Sequence, residues 1–195
     1  MSCSGLREIP SSIIDEQRTC RLTEQKMSSM QNLVSLPSSI CKFKGLVKLN
    51  LWACSKLESL PEVLGDIEKL KKLDANFTLI SQPPSSIVRL NKLKMLTFAK
   101  QKSEARVGNN FEHFPRSIVQ LGPLQYLDLS YCKRLKELPG FMGMQNLETL
   151  DLSHCNLIDG GLVEDIGCLS SLKVLDLSGN NFEHLPQRIA QLGAL

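Results

Sequence analysis

Leu124-Gln125-Tyr126-Leu127-Asp128-Leu129-Ser130-Tyr131-Cys132 and Leu147-Glu148-Thr149-Leu150-Asp151-Leu152-Ser153-His154-Cys155 are two copies of one pattern. A third follows at Leu172-Lys173-Val174-Leu175-Asp176-Leu177-Ser178. The last two leucines of each copy alternate with polar residues at period two, which is the signature of a strand with one buried face. The interval of about two dozen residues between copies means that each strand belongs to a separate turn of chain.

Working outward, the same Leu-x-x-Leu-x-Leu frame appears at Leu46-x-x-Leu49-x-Leu51, Leu70-x-x-Leu73-x-Ala75 and Leu93-x-x-Leu96-x-Phe98. A degenerate copy starts at Leu22, with Gln25 and Met27 in the later slots, and Leu195 opens one more. A second landmark keeps step with the first. Pro37, Pro61, Pro84, Pro115 and Pro186 each lie nine residues before the next start, and Pro139 lies eight before. One coil cannot bury its own apolar face, whereas stacked coils build a parallel sheet over a continuous leucine core. The expected fold is therefore a leucine-rich-repeat solenoid of the α/β class over 1–195. It has about seven repeats and partial ones at both ends, a concave parallel sheet, and short helical or 3-10 turns on the convex side. Proline suits the start of those turns, because its φ is preset and it has no donor to lose there.

The residues three past each strand (Cys54, Thr78, Asn109, Cys132, Cys155 and Asn180) are small and polar or thiol-bearing. Their expected task is to bond neighbouring coil backbones that burial would leave unpaired. That gives most cysteines a structural role. Seven cysteines with no Cys-x-x-Cys spacing support neither a disulfide framework nor a zinc site and fit a reducing compartment.

The coil from Leu93 to Leu124 is 31 residues long. Asn109-Asn110-Phe111-Glu112-His113-Phe114-Pro115 nearly repeats Asn180-Asn181-Phe182-Glu183-His184-Leu185-Pro186, which confines eight extra residues to 99–108. Insertions of this kind map to a rim loop, often on the binding face. This one carries Lys100, Lys102 and Arg106; the plain alternative is a tolerated spacer.

The other expected contacts are outward positions on the sheet. Lys48, Asn50, Trp52, Lys72 and Asp74 are among them, with Trp52 and the lysines Lys48 and Lys72 beside it as the best contact cluster; the alternative is a tryptophan folded over its own sheet edge. Tyr126 precedes a column of Asp128, Asp151 and Asp176. Trp52 is the single tryptophan, and interface energy concentrates in such residues. Like charges in a column repel, so Asp151, between two others, is expected to resist ionisation most. The alternative is that Leu-Asp-Leu-Ser is a common strand sequence whose aspartate is solvated.

Composition excludes several classes. The chain is 42% hydrophobic and 22% charged, ordinary for a folded protein. No run of 18 apolar residues marks a membrane span, and no secretory signal follows Met1. Most of the positive excess lies between Lys69 and Arg106, a local patch and not a basic stripe spread along the chain with interleaved aromatics, which speaks against a nucleic-acid partner. Gly-x-Ser-x-Gly and His-Glu-x-x-His are absent. His113 and His184 share one slot three coils apart, about 14 Å at sheet spacing and too far for a shared reaction, and His154 has no base or orienting partner that can be placed. Neither an enzyme nor a cofactor is therefore expected.

Cys54-Ser55-Lys56-Leu57-Glu58-Ser59-Leu60-Pro61, Leu36-Pro37-Ser38-Ser39-Ile40 and Leu127-Asp128-Leu129-Ser130-Tyr131-Cys132 resemble the repeats of plant intracellular immune receptors, which combine TIR, nucleotide-binding and leucine-rich-repeat parts. The resemblance implies a recognition module in the defence response. Its partners would be a pathogen effector protein, viral ones included, and the nucleotide-binding domain of its own receptor. It implies a cytoplasmic location, with the nucleus as a second compartment. No phosphate-binding loop or TIR pattern is present, so those activities do not carry over. The chain starts inside one repeat and stops at the first leucine of another, which reads as a piece of such a receptor or a truncated relative. A free-standing cytosolic adaptor built on Leu-Pro-x-x-Ile repeats is the alternative. An extracellular ectodomain fits less well, since that class places Gly-x-Ile-Pro where this chain has Glu-His-Leu-Pro or Glu-Ser-Leu-Pro.

Overall fold

A computed structural model describes residues 22–100 and 112–192. Its strands are β1 (Glu24–Lys26), β2 (Lys48–Asn50), β3 (Lys72–Asp74), β4 (Met95–Thr97), β5 (Tyr126–Asp128), β6 (Thr149–Asp151) and β7 (Val174–Asp176). They form one sheet in sequence order, every pair parallel. The middle residues Leu49, Leu73, Leu96, Leu127, Leu150 and Leu175 are in register along it, with Gln25 opposite Leu49 at its first edge. The long coil does not disturb this: Leu96 pairs with Leu127 as if no residues had been added.

The three leucine slots of each coil face inward. Leu46, Leu49, Leu51, Leu70, Leu73, Leu93, Leu96, Leu124, Leu127, Leu129, Leu147, Leu150 and Leu152 are all buried in one continuous core. Burying each leucine contributes about 1.5–3 kcal/mol. Ala75 and Phe98 occupy the third slot of neighbouring coils, so a small and a large residue sit side by side there.

On the convex side the chain returns through 3-10 turns at Ser38–Lys42, Glu62–Asp66, Ser85–Arg89, Arg116–Gln120, Glu164–Cys168 and Gln187–Gln191. Proline precedes five of them and Val163 the sixth. The prolines sit one place earlier than the first helical residue, in extended geometry, and their carbonyls accept the first turn's hydrogen bond, as Pro37 does from the Ile40 N–H at 3.0 Å. The coil after Pro139 forms no such turn. Its return segment is one residue shorter, and Gly143 lies so close to the Val119 carbonyl that a Cβ would stand 2.1 Å from that oxygen.

The sheet ladder continues past the strands. Three residues after β1, β2, β3, β5, β6 and β7 the backbone turns left-handed at Ser29, Ala53, Phe77, Tyr131, His154 and Gly179, with φ between 55° and 67°. Their N–H groups, apart from that of Gly179, bond the next coil: Ala53 to Asn76 at 2.9 Å, Tyr131 to Ser153 at 2.8 Å, His154 to Ser178 at 2.8 Å. Non-glycine residues rarely adopt this conformation, so the inter-coil bonds hold it in place.

Candidate recognition surface

The side chains between the inward leucines form the concave face, and its polar members have two separate tasks. Asn50, Asp74, Asp128, Asp151 and Asp176 each turn a side-chain oxygen back onto the N–H two residues later. The partners are Trp52 at 2.9 Å, Asn76 at 3.1 Å, Ser130 at 2.9 Å, Ser153 at 2.9 Å and Ser178 at 2.8 Å. These are Asx turns that terminate the strand. The aspartate column is therefore neither a bare charge array nor freely solvated. Each carboxylate closes its own coil with one oxygen, and in the Asp151 coil that oxygen also accepts the Ser153 hydroxyl at 2.7 Å.

This corrects the expected electrostatics. The upward pKa shift falls on Asp128; burial is its chief cause, and the charges of Asp151 and Asp74 add to it. Asp176 is shifted down, because the Ser178 hydroxyl and N–H both stabilise its charge and His154 contributes. Burial and local hydrogen bonds outweigh repulsion along the column. Tyr126 is half-buried beside it, and its phenol is raised by burial and by Asp128 and Asp151.

Lys48 and Lys72 stand in register on β2 and β3, both exposed. Trp52 is 41% exposed and sets its ring edge-on to Phe77 of the next coil, centroids 5.6 Å apart. The indole thus leans over the adjacent coil's rim while one side stays open. Lys100 differs from expectation. It is 6% exposed, and its N–H bonds the Ser130 carbonyl at 3.0 Å. The ladder runs on through Ala99 and Lys100, so neither belongs to a protruding loop. Thr97, Ala99 and Ser130 are likewise buried although they occupy outward slots. Lys102 and Arg106 lie outside the described residues.

Cys54, Thr78, Cys132, Cys155 and Asn180, each one residue past a left-handed position, close the coils. Cys54 Sγ donates to the Met27 carbonyl at 2.9 Å, Cys132 to Phe98 at 3.6 Å and Cys155 to Leu129 at 3.1 Å, each in the preceding coil. Asn180 donates to Leu152 at 2.8 Å and accepts from the Cys155 and Leu157 N–H groups at 3.0 Å each. Thr78 departs from this: its shorter hydroxyl bonds Ala75 of its own coil at 2.8 Å. Burial raises the Cys54 and Cys132 thiols and pushes Cys155 up to about 12, so these are unreactive. Asn109 lies outside the described residues.

Two features were not read from the sequence. Tyr131 and His154 stack on the ascending rim, and their shared slot three past the strand was the available signal. Beside the return segment that lacks a 3-10 turn, a cleft of about 620 Å³ is lined by residues that include Met142, 71% exposed, and Asp165. Asp165 accepts the Phe141 N–H at 2.7 Å. Of the other histidines, His113 meets Glu137 at 3.3 Å and His184 meets Asp159 at 2.9 Å, both exposed pairs. Asp159, Glu183 and His184 bring potential metal-ligand atoms within 4.8 Å of one another, all three exposed. No helix among the described residues is long and apolar enough to cross a membrane.

Leucine Rich Repeat signatures match residues 124–162, as two copies, and 171–192. The chain is a leucine-rich-repeat segment. Over all of its 195 residues it is 52% identical to TMV resistance protein N of Nicotiana glutinosa, of which it spans 14%. It is 31% identical over 97% of its length to the disease resistance-like protein DSC1 of Arabidopsis thaliana, of which it spans 13%. Among solved structures, the leucine-rich repeat domain of the type III effector XopL superposes with a TM-score of 0.66 at 26% identity, covering 97% of this chain and 71% of that one. This leucine-rich-repeat chain is thus a protein-interaction module similar to those of plant disease resistance proteins, and spans about a seventh of the length of the relatives named.

Proposed function

We propose that the segment is the sensing region of an intracellular plant immune receptor, which contacts a pathogen effector protein and also restrains the receptor's nucleotide-binding domain. It acts by surface recognition in the cytoplasm or nucleus, without catalysis, cofactor, nucleic acid or membrane. The observation that carries this is the open face of β2 and β3, where Lys48, Lys72 and the half-exposed Trp52 project together from adjacent coils. An aromatic anchor flanked by cations on rigid strands suits a protein contact. Asn50 and Asp74 support it by fixing the strand ends beneath the contact. Tyr126, Asp128, Asp151 and Asp176 extend the face toward a region that suits basic groups. We also assign Lys102 and Arg106 of the long coil to the recognition surface.

The test is a chimera in which this chain replaces the matching stretch of the Nicotiana glutinosa relative. Recognition specificity should follow the segment, and Trp52→Ala should abolish the response without altering protein level. A chimera that responds like the parent, with Trp52→Ala silent, would overturn the reading.

A further inference from the structure

Aligning the coils by their first leucine exposes an uneven distribution of charge. The slot before that leucine holds Lys69 and Lys92, the slot after it Lys71 and Lys94, and the next slot Lys48 and Lys72. All six side chains are exposed. In the two coils that follow, the same slots read Pro123, Gln125 and Tyr126, then Asn146, Glu148 and Thr149. The next coil has one lysine there, Lys173, and it is paired with Glu148 at 2.8 Å. Parallel strands lie about 4.8 Å apart, so the lysines of β2–β4 occupy one continuous field at the entry edge of the sheet.

Among the described residues none of the six enters an ion pair or a side-chain hydrogen bond, although cations elsewhere do. Arg89 pairs with Asp66 at 3.1 Å, Arg134 with Glu112 at 3.2 Å and Lys136 with Glu112 at 3.1 Å. Of the acids beside the field, Glu24, opposite Lys48, approaches Lys26 at 3.9 Å, Asp74 accepts the Asn76 N–H and the Thr97 hydroxyl, and Glu68 adjoins Lys69 in the chain, one carboxylate among six lysines. Like charges this dense repel one another in the isolated chain and are relieved by a partner of opposite sign.

We propose that this lysine field is a docking surface for an acidic polypeptide segment; the assignment rests on the protein-recognition reading above and adds the chemistry of the partner. Lysine presents a compact point charge, which suits single carboxylates, whereas planar bidentate recognition of phosphate favours arginine. Trp52, two residues past the end of β2, is a lone exposed ring beside the field, which suits one apolar residue next to the acids and not the run of stacked bases that single-stranded nucleic acid needs.

The test is fluorescence anisotropy of a labelled oligoglutamate peptide with the full chain, against a single-stranded oligonucleotide of equal charge. The peptide should bind saturably, weaken as salt is raised, and lose affinity about tenfold or more in the Lys69→Glu/Lys71→Glu/Lys94→Glu variant. Lys133→Glu/Lys136→Glu/Lys173→Glu, an equal charge change on later coils, should leave it unchanged. Thermal unfolding of each variant confirms that the fold is intact. Absence of peptide binding, equal loss in both variants, or tighter binding of the oligonucleotide would each overturn the proposal. The chimera's recognition of its pathogen is scored separately, so a failed peptide experiment leaves that reading standing.

Discussion

Tyr131 and His154 lie face to face, ring centroids 4.5 Å apart and planes 18° from parallel, while both backbones hold φ near +60°. The next residue in this row is Gly179, whose added Cβ would lie 2.1 Å from His154 Nδ1. The row thus has an order: two rings stack because the third position has no side chain. Gly179→Ala should destabilise the chain by about 1–2 kcal/mol, from the left-handed backbone alone. Displacement of the imidazole adds to that. His154→Ala should recover the second part and not the first, a non-additivity that a double-mutant cycle in urea would measure.

Asp151→Asn should change stability by no more than about 0.5 kcal/mol, because an amide oxygen can close the same turn. Asn50 already does so in its own coil, accepting the Trp52 N–H at 2.9 Å. Asp151→Ala removes the acceptor for both the Ser153 N–H and its hydroxyl and should cost about 1–2 kcal/mol. Equal losses in the two variants would show that the charge, not the turn, matters.

The aspartates at 128 and 176 should give opposite pH signatures. Asp128 has a raised pKa in the fold, so its ionised form is disfavoured there. The penalty is present above that pKa and is relieved as pH falls through it. Asp128→Asn should therefore be the more stable form at neutral pH, with the advantage vanishing on acidification. Asp176 has a lowered pKa. Its contribution is complete above the ordinary carboxylate range and is lost as pH falls through the lowered value. Denaturant midpoints of the two Asn variants across acidic pH would reveal the opposite slopes.

Leu150→Ala should cost about 2–5 kcal/mol, as cavities in a packed core do. Leu150 is fully buried, whereas Leu175 in the same slot two dozen residues later is only partly so, and Leu175→Ala should cost less in this chain. Equal losses at the two positions would show that burial is not what separates them.

Of the cysteines described, Cys41 and Cys168 are half-buried, and Cys54, Cys132 and Cys155 are buried. Alkylation of the native chain should modify Cys41 and Cys168 and spare the other three until the chain unfolds. Cys155→Ser should retain a donor for the Leu129 carbonyl, and Cys155→Ala should leave that carbonyl only the Cys132 N–H at 3.2 Å, at a cost of about 0.5–1.5 kcal/mol.

The sheet, its register and the cysteine bonds were legible because each depends on a spacing that recurs in every coil. Leu96 meets Leu127 across the long coil because the frame on both sides is intact. What was not legible depends on how coils meet. Lys100 reads as a loop cation from its position beyond Phe98, yet the sheet ladder reaches one residue further than the leucine pattern and carries it inward. The aspartate column reads as repulsion because spacing gives the distance between charges but not the N–H groups beneath them. The lysine field was visible only in part: Lys48 and Lys72 stand out within the strand pattern, while Lys69, Lys71, Lys92 and Lys94 emerge when slots are compared between coils.

Cys54, Cys132, Cys155 and Asn180 each answer a carbonyl in the coil before, while the strand-ending turns at Asn50, Asp128, Asp151 and Asp176 are completed within one coil. The coils closed by Cys54, Cys132, Cys155 and Asn180 therefore offer their neighbours the same kind of plug, whereas the Thr78 coil bonds within itself. A whole coil can be duplicated, lost or exchanged by recombination at the repeat boundary with these connections re-formed on either side. The outward residues travel with it, so the displayed surface can be reshuffled in blocks while the interior keeps a single solution.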